Sequence, residues 1–541
     1  MSIREGARTH LLKLSSLGRG RQRTVRDEGT DMNRPQRPRR LLWALAASLA
    51  LVATSVAPVG AKSDNSGFWT GTPAMLEGTQ SNVTVKPLLT VGDTVGGYTF
   101  EAIPDGIALD PRGRNTFDIY VNHETSKVPF PFTATLALTD FDNAQMSQVT
   151  LKRGSGKVLG GELVIDSSNG YQRFCSNFFA GGAEGFAQPL VFTNEETPDR
   201  VNRAENSWPP SAGAPQAGLT VAYDPDSDTT TEIPGMGFFN HENTIVVPGF
   251  DSVVTLSGDD TFSRGNSQLY MYMADDRDAL LDDQGTLYAF VADLPSNQYE
   301  TMGLNPGPFT GHFIEVPKGI ADGTDNPGFE QDALETWSDA PANSVFEFAR
   351  IEDLAYDRND PNVVYFADTE GGGAFLYGRI YKMVLDPDDP TATAQVSVLI
   401  NGDNVGAVDP LAAIHSPDNI ETTPWSLMIQ EDPSPLAFKY TPGNPNGTTA
   451  RIWQYVFATG ELRVVARVNQ SQDPAAVWGD WESSGIVDAS TYFGRGAFLV
   501  TVQAHTLFVD TNSISNPLPP PASITQKREG GQLLLLRVPG A

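Results

Sequence analysis

Short runs of β-branched and aromatic residues recur along most of the chain between polar positions, and apolar stripes with helical spacing are scarce. Such runs, bounded by Gly, Pro, Asn and Asp, are typical of β-strands. The pattern predicts strands at residues 118–121, 190–192, 244–247, 268–272, 286–291, 379–384, 451–456 and 532–536. The sequence therefore indicates an all-β fold.

The last five of these runs share a motif, in which a polar residue precedes Leu and then an aromatic residue or Leu, with Ile replacing the first Leu in two of them. The final four begin at residues 286, 379, 451 and 532, at intervals of 93, 72 and 81 residues. Recurrence of a similar short strand favours a β-propeller over a large sandwich, which rarely needs so long a chain. Six blades would average 80 residues, so we predict a six-bladed propeller with long insertions.

One pair of predicted strands, residues 348–357 and 363–366, carries the most informative charged residues. Arg350 and Glu352 are two positions apart, so strand alternation places both side chains on one face. They could form a structural salt bridge. Alternatively, the guanidinium could hold a phosphate oxyanion beside a carboxylate that binds a hard cation. Spacing alone does not choose between these interpretations.

The charge balance narrows the choice of partners. The chain carries a net charge of −29, and residues 62–541 alone carry −36. Such an acidic protein repels nucleic acids and anionic membranes, so we expect neither as a partner. It attracts divalent cations, although the excess charge could also serve solubility.

The first 61 residues read as an export region. Arg37, Arg39 and Arg40 precede an apolar stretch at residues 41–56, and small residues follow at positions 59–61, as at a signal-peptidase site. Met32 is a candidate true start, and the Arg39–Arg40 pair permits a twin-arginine route. We therefore predict that residues 1–61 are an upstream extension with a signal peptide and that residues 62–541 are one propeller domain. The protein would be secreted, periplasmic or attached to the cell surface.

Acidic clusters recur where predicted strands begin or end. Each alone is typical of a turn, but a propeller gathers strand ends around one axis, where carboxylates repel unless cations neutralise them. The clusters are Asn122-His123-Glu124, Asn194-Glu195-Glu196, Asn240-His241-Glu242-Asn243, Gly258-Asp259-Asp260, Arg350-Ile351-Glu352-Asp353 and Ser416-Pro417-Asp418-Asn419.

Cys175 is the single cysteine of the chain, so no internal disulfide can form. It could be a buried apolar residue or the ligand of a soft or borderline metal. No two histidines have zinc-type spacing, and the sequence contains neither a Gly-x-Ser-x-Gly nucleophile elbow nor a phosphate-cradling glycine loop.

In chain order these motifs resemble those of the PhoX-type alkaline phosphatases, over about residues 95–435. The resemblance rests on Asn122-His123-Glu124, Cys175 followed by Glu195-Glu196, His241-Glu242, Gly258-Asp259-Asp260, Arg350-x-Glu352 and Ser416-Pro417-Asp418-Asn419. It implies a six-bladed propeller with iron and calcium at its axial mouth. It also implies hydrolysis of phosphate monoesters by metal-activated water or a bridging oxygen.

Carried over by position, the resemblance implies that Arg350 grips the phosphate and that Cys175 binds iron. The remaining metal ligands would come from Glu195 or Glu196, Glu242, Asp259 or Asp260, Glu352 and Asp418. Glu482 and His505 could be extra site residues, but we expect a structural role for both. The expected partner is a small-molecule phosphate ester, and we expect a monomer.

Two alternatives stay open at this point. The chain could be a calcium-stabilised propeller that binds ligands without catalysis. It could also be another propeller hydrolase, such as a phosphodiesterase or a lactonase.

Overall fold

Four-stranded antiparallel sheets repeat six times along the chain, and each begins with the strand nearest a common axis. The computed structural model describes residues 67–541 except 134–135, 202, 204–212, 262–265, 304–305, 370–374, 407, 434–446, 474–478 and 516–522. Residues 1–61, where the export signal is predicted, lie outside the described residues.

Each four-stranded repeat is one blade, numbered here in chain order with its strands given from the inner one outward. The outermost strands of blades 3 and 4 pair with each other, so these two blades share one nine-stranded sheet. Blade 1 contains Pro104–Leu109, Thr116–His123, Gln145–Lys152 and Lys157–Ile165. Blade 2 contains Phe174–Ala180, Leu190–Glu195, Thr220–Asp224 and Thr229–Glu232. Blade 3 contains His241–Val246, Val253–Asp259, Leu269–Ala274, Thr286–Ala292 and a fifth strand, Phe309–Glu315.

The second half of the ring repeats this order. Blade 4 contains Ile351–Tyr356, Val363–Asp368, Arg379–Val384 and Ala394–Asn401. Blade 5 contains Pro417–Thr422, Ser426–Glu431, Arg451–Val456, Glu461–Val468 and, at its outer edge, Leu76–Gly78. Blade 6 contains Glu482–Asp488, Ala497–Ser515, Ser523–Arg537 and the N-terminal strand Thr84–Thr90.

Each inner strand contacts the inner strands of the two neighbouring blades, including that of blade 6 with that of blade 1. Within the described residues the ring is therefore closed, and the fold is an all-β, six-bladed propeller. Closure depends on the N-terminal segment, because Thr84–Thr90 completes blade 6 and Leu76–Gly78 extends blade 5.

The blades are held together by apolar contacts between their faces. Six buried clusters of the described residues each fill the gap between two neighbouring blades. This packing explains the sequence pattern, since central blade strands are covered on both faces and read as continuous apolar runs.

Insertions account for the length of the repeats. Thr94–Val95 with Tyr98–Thr99, and Phe130–Thr133 with Leu136–Asp140, form short additional pairs. The α-helices are Arg277–Leu281, Lys318–Ala321, Glu330–Ser338, Gly402–Gly406 and Ser490–Phe493. The 3-10 helices are Ser167–Asn169, Gly182–Glu184, Pro234–Met236, Tyr299–Met302 and Pro410–Ala412. Among the described residues, none of the helices has the length and apolar character needed to cross a bilayer.

The predicted strands all fall on strands of the blades, so the fold prediction is confirmed. The interval of 93 residues was wrong as a blade repeat. Thr286–Ala292 is a fourth strand, whereas the runs that begin at 379, 451 and 532 lie on third strands. The matching third strand of blade 3 is Leu269–Ala274. Cross-strand neighbours in one blade carry the same apolar pattern, so the pattern alone does not number them.

Candidate metal centre

Two positions at one end of each blade correspond between blades, and those of blades 1 to 5 supply acids and a cysteine to one cluster. One is the second residue of the inner strand. The other is found on the second strand. The first residue of the inner strand pairs with a residue of the second strand, and the next residue along that second strand holds this position. In blade order the first position holds Asp105, Cys175, Glu242, Glu352, Asp418 and Ser483. The second holds Glu124, Glu196, Asp260, Thr369, Asp432 and Ala504.

A register shift directly after the first residue of the inner strand recurs in blades 1 to 5, and in blade 6 it comes one residue later, after Ser483. The first residue of each inner strand pairs with the second strand, and the ladder then slips before regular pairing resumes. A β-bulge redirects side chains and ends pairing locally, and bulges are common beside functional sites. Here the slip spans the position that carries the acidic residue or cysteine.

Left-handed backbone conformations precede three of these strands. Ile103, Arg173 and Ser416 have φ of +47°, +47° and +42°. Each lies two residues before Asp105, Cys175 or Asp418. Non-glycine residues in this region cost free energy and cluster at functional sites.

Neighbouring inner strands approach each other closely at the site because glycines allow it. A Cβ on Gly106 would lie 2.6 Å from Asn177 N and from Ser176 Cα. A Cβ on Gly485 would lie 2.3 Å from Asp105 O. The first contact brings blade 1 against blade 2, and the second brings blade 6 against blade 1.

The side chains form three overlapping groups whose candidate ligand atoms lie within 4.8 Å of one another. The groups are Asp105, Glu124 and Cys175; Cys175, Glu196 and Glu242; and Glu242, Glu352 and Asp418. Cys175 and Glu242 each belong to two groups, so the three form one continuous set, here called the axial arc.

Hydrogen bonds fix the centre of the axial arc. Cys175 Sγ donates to Glu242 Oε1 at 3.2 Å, and Ser176 Oγ donates to the same oxygen at 2.9 Å. Asn419 Nδ2 donates to Ser176 Oγ at 2.7 Å. The buried Asn419 Oδ1 has no hydrogen-bond partner among the described residues, which leaves a neutral oxygen available as a ligand.

Burial dominates the electrostatics of the axial arc. It raises the pKa of the arc carboxyls well above the ordinary value, and neighbouring carboxylates raise it further; the groups are Glu196, Glu242, Glu352 and Asp418. Burial, Glu124 and other acids raise the pKa of Asp105 to about 7. Burial, Asp105 and Glu242 likewise hold the pKa of the Cys175 thiol well above its ordinary value.

Arg350 is a cation at one end of the axial arc. Its Nε donates to Asp260 Oδ1 at 2.7 Å, its Nη2 bonds the other Asp260 oxygen, and Nη2 lies 3.1 Å from Glu352 Oε1. Burial alone would lower the pKa of Arg350, but Asp260 and Glu352 hold it well above the ordinary value. Both interpretations of the Arg350–Glu352 pair therefore have support, because the ion pair exists and lies at the axial arc.

Strand alternation separates the members of each acidic pair. Glu195 points away from the axis, where Arg203 donates to it at 2.8 and 2.6 Å and the amide of Gln172 donates at 2.9 Å. Asp259 accepts from Thr261 Oγ1 at 2.7 Å, and Gln268 lies within hydrogen-bonding distance. Glu195 and Asp259 thus stabilise the backbone around the site instead of joining the axial arc.

The structure therefore brings together six of the residues singled out from the sequence with Arg350: Cys175, Glu196, Glu242, Asp260, Glu352 and Asp418. It adds Asp105 and Glu124, which join Cys175, and Asp432, whose carboxyl bonds that of Asp418. The sequence pattern had included Glu124 in the cluster Asn122-His123-Glu124, but it had not singled out Asp105 or Asp432.

The donor set fits metal ions. In the bare protein these acids must take up protons to coexist, because desolvation and repulsion both oppose their charged forms. Cations bound among them would offset both effects. The two groups that share Cys175 offer a thiolate with carboxylates, and the third offers oxygen atoms alone.

Comparison with known proteins supports this picture. The family model described as alkaline phosphatase PhoX matches residues 193–474, more than half of the chain. The matched residues include Glu196, Glu242 and Arg350 but not Cys175. A search of curated proteins gave no match.

Among solved structures, PhoX of Pseudomonas fluorescens in complex with vanadate, a transition-state analogue, is 16% identical with a TM-score of 0.60. The match covers 87% of this chain and 97% of that one. A candidate 6-phosphogluconolactonase from Bacteroides fragilis is 12% identical with a TM-score of 0.29, over 66% of this chain and 82% of that one. The β-propeller domain of the Trilobed protease from Pyrococcus furiosus is 7% identical with a TM-score of 0.30, over 76% and 92%.

Proposed function

The chain belongs to the alkaline phosphatase PhoX family and is a phosphatase, and from that premise we propose that it hydrolyses phosphate monoesters with metal ions held by the axial arc. The observation that carries this proposal is the arc itself, in which buried acids and one thiol converge beside the guanidinium of Arg350. The vanadate complex of the Pseudomonas fluorescens protein supports phosphoryl chemistry on this fold. The family match disfavours the non-catalytic alternative.

We assign the metals from the donor atoms. The groups that contain Cys175 suit iron, because a thiolate favours a softer, redox-active ion, and the all-oxygen group of Glu242, Glu352 and Asp418 suits calcium. When bound, these ions would neutralise the charge of a phosphate ester, activate water and stabilise the leaving oxygen.

The protein residues supply positioning and charge complementarity. We propose that Arg350 binds non-bridging phosphate oxygens, which gain charge in the transition state. Asp260 grips the guanidinium through two hydrogen bonds and so presets its orientation before substrate arrives. Arg350 also places positive charge where the strongly acidic protein must receive an anion.

The test compares two partly exposed arginines that flank the inner strand of blade 4, Arg350 before its first residue and Arg358 beyond its last. Arg350→Lys should lower kcat for p-nitrophenyl phosphate by about 100- to 1,000-fold, the usual cost of one transition-state donor. Arg358→Lys is the matched control, because Arg358 contacts Glu421 and Tyr356 at the mouth remote from the axial arc. Full activity of the Arg350 variant, with metal content unchanged, would remove Arg350 from the mechanism.

The cellular location and assembly belong to the same proposal. We propose a secreted monomer whose export depends on the Arg39–Arg40 pair. Replacing both residues with Lys should leave precursor inside the cell, and light scattering of the purified protein should give the mass of one chain. Unchanged export would exclude the twin-arginine route.

A further inference from the structure

A cavity of about 240 Å³ adjoins the axial arc at Glu124. It lies beside Arg173, which precedes the inner strand of blade 2, and beside a long hairpin that extends from blade 6. Glu124 belongs both to this cavity and to the group with Asp105 and Cys175, so its carboxyl lies between the cavity and the proposed metal site.

The hairpin extension builds one wall of the cavity. Ala497–Ser515 and Ser523–Arg537 continue to pair beyond the blade, with register shifts between Ala504 and Asp510. The second of these strands also pairs in parallel with Leu136–Asp140. This arm brings His505, Lys527 and Glu529 to the cavity, opposite Glu124 and Arg173.

The charges around the cavity are balanced. His505 Nδ1 lies 2.8 Å from Glu529 Oε2, and its Nε2 lies 3.3 Å from Glu482 Oε2. Lys527 contacts Glu529, and Arg173 faces Glu124. With each cation beside a carboxylate, the cavity has no excess positive charge for a second phosphate or a carboxylate on the substrate.

Two oppositely charged pairs at the cavity are separated by more than the length of a hydrogen bond. Arg173 Nη1 lies 3.7 Å from Glu124 Oε1, and Lys527 Nζ lies 3.9 Å from Asp140 Oδ1. Asp140 Oδ1 is buried without a hydrogen-bond partner among the described residues. A hydroxyl group beside such a pair, on its cavity side, can donate to the carboxylate and accept from the cation.

The rest of the lining favours a small, non-aromatic guest. Ile103, Val128 and Leu138 are the apolar residues, and no Phe, Tyr or Trp side chain lines this cavity among the described residues. A nucleoside base or aryl group would therefore find no benzene or indole ring to stack on. At about 30 Å³ per water molecule, the volume equals about eight waters, which accommodates a polyol of three to six carbons.

We propose that this cavity binds the leaving group of the substrate and that it selects phosphate monoesters of small polyols and sugars. This inference rests on the proposed function, since it deepens the role of the same site. His505 and Lys527, contributed by the arm, act as specificity residues and not as catalytic ones.

The experiment compares glycerol 3-phosphate with propyl phosphate, which has the same carbon chain without the hydroxyls. A hydroxyl placed between a donor and an acceptor contributes about fivefold per hydrogen bond, so the metal-loaded wild-type protein should favour glycerol 3-phosphate at least tenfold in kcat/KM. Lys527→Met should reduce that preference to less than threefold. Lys318→Met, on an outer helix, should leave it unchanged.

The ratio of the two substrates is the decisive quantity, because loss of folded protein lowers both rates equally. Hydrolysis of both esters without preference, or a preference unchanged by Lys527→Met, would overturn the inference and leave the proposed function intact. No hydrolysis of any phosphate monoester would instead refute the proposed function. If Lys527→Met does not fold, Asp140→Asn decides in its place, with the same expected loss of preference.

Discussion

Glu195 and Glu196 are adjacent acids with opposite orientations, and exchanging each for glutamine should produce opposite phenotypes. Glu195 is fully buried and accepts from Arg203 and from the amides of Gln172, Gly218 and Leu219. Glu195→Gln removes one partner of a buried ion pair, which costs about 3–5 kcal/mol. We therefore expect a much lower urea midpoint, with metal content per folded molecule unchanged.

Glu196→Gln should do the reverse. Burial, Glu242 and Asp260 hold the pKa of Glu196 well above its ordinary value, so this carboxyl strains the metal-free protein. A neutral amide relieves that repulsion, and we expect the chelated variant to be at least as stable as the chelated wild type. The same change removes a proposed ligand, so iron content and phosphatase activity should both fall.

Urea unfolding of chelated proteins, paired with elemental analysis of the folded ones, measures both effects. The two variants control for each other, because they make the same chemical change one residue apart. If Glu195→Gln lost metal without losing stability, or Glu196→Gln destabilised the chelated protein by several kcal/mol, the assignment of orientations would be wrong.

Three further predictions concern pH, metal removal and packing. Burial raises the pKa of Asp140 to about 7, so the stability that depends on its protonated carboxyl is greatest below pH 4 and is lost as the pH rises through 7. Asp140→Asn should therefore raise the free energy of unfolding at pH 8, by at most about 4 kcal/mol. A lower free energy of unfolding in urea at that pH would contradict this. The arc carboxyls also have raised pKa values, so the melting temperature of chelated protein should fall from pH 5 to pH 8. If the melting temperature changed with pH equally in the chelated and the metal-loaded protein, neutralisation of these acids by cations would be excluded. Gly106→Ala should cost about 1–3 kcal/mol in thermal or urea unfolding, because its Cβ meets backbone atoms of blade 2, while Gly182→Ala, with nothing within 4 Å, should cost far less.

The sequence predicted the blades because blade strands are apolar and short, and turn residues separate them. It also placed Arg350 and Glu352 on one face, since alternation acts over two residues and needs no tertiary information. It did not place Glu195 relative to Glu196, because that choice depends on where the ladder slips against the neighbouring strand. A one-residue change of register turns every side chain to the other face.

Asp105 shows a second limit. It stands between Pro104 and Gly106, which is typical of a turn, yet it lies on an inner strand against Ser484, a residue of blade 6. Ring closure across almost the whole chain creates that contact, and no local pattern records it. A cue was available nevertheless, because Asp105 precedes a glycine that neighbouring inner strands crowd.

The structure also shows what Glu482 and His505 contact. His505 contacts both Glu482 and Glu529, and the structural role expected for Glu482 and His505 from the sequence stays a prediction. That contact also positions the arm beside the axial arc, so the two residues affect the site through the shape of its wall.

Anomalous diffraction at the iron and calcium absorption edges, from crystals of active protein, tests the central claim most directly. We expect iron bonded to Cys175 Sγ and calcium among Glu242, Glu352 and Asp418. An active crystal whose ions all lie away from these residues would contradict it.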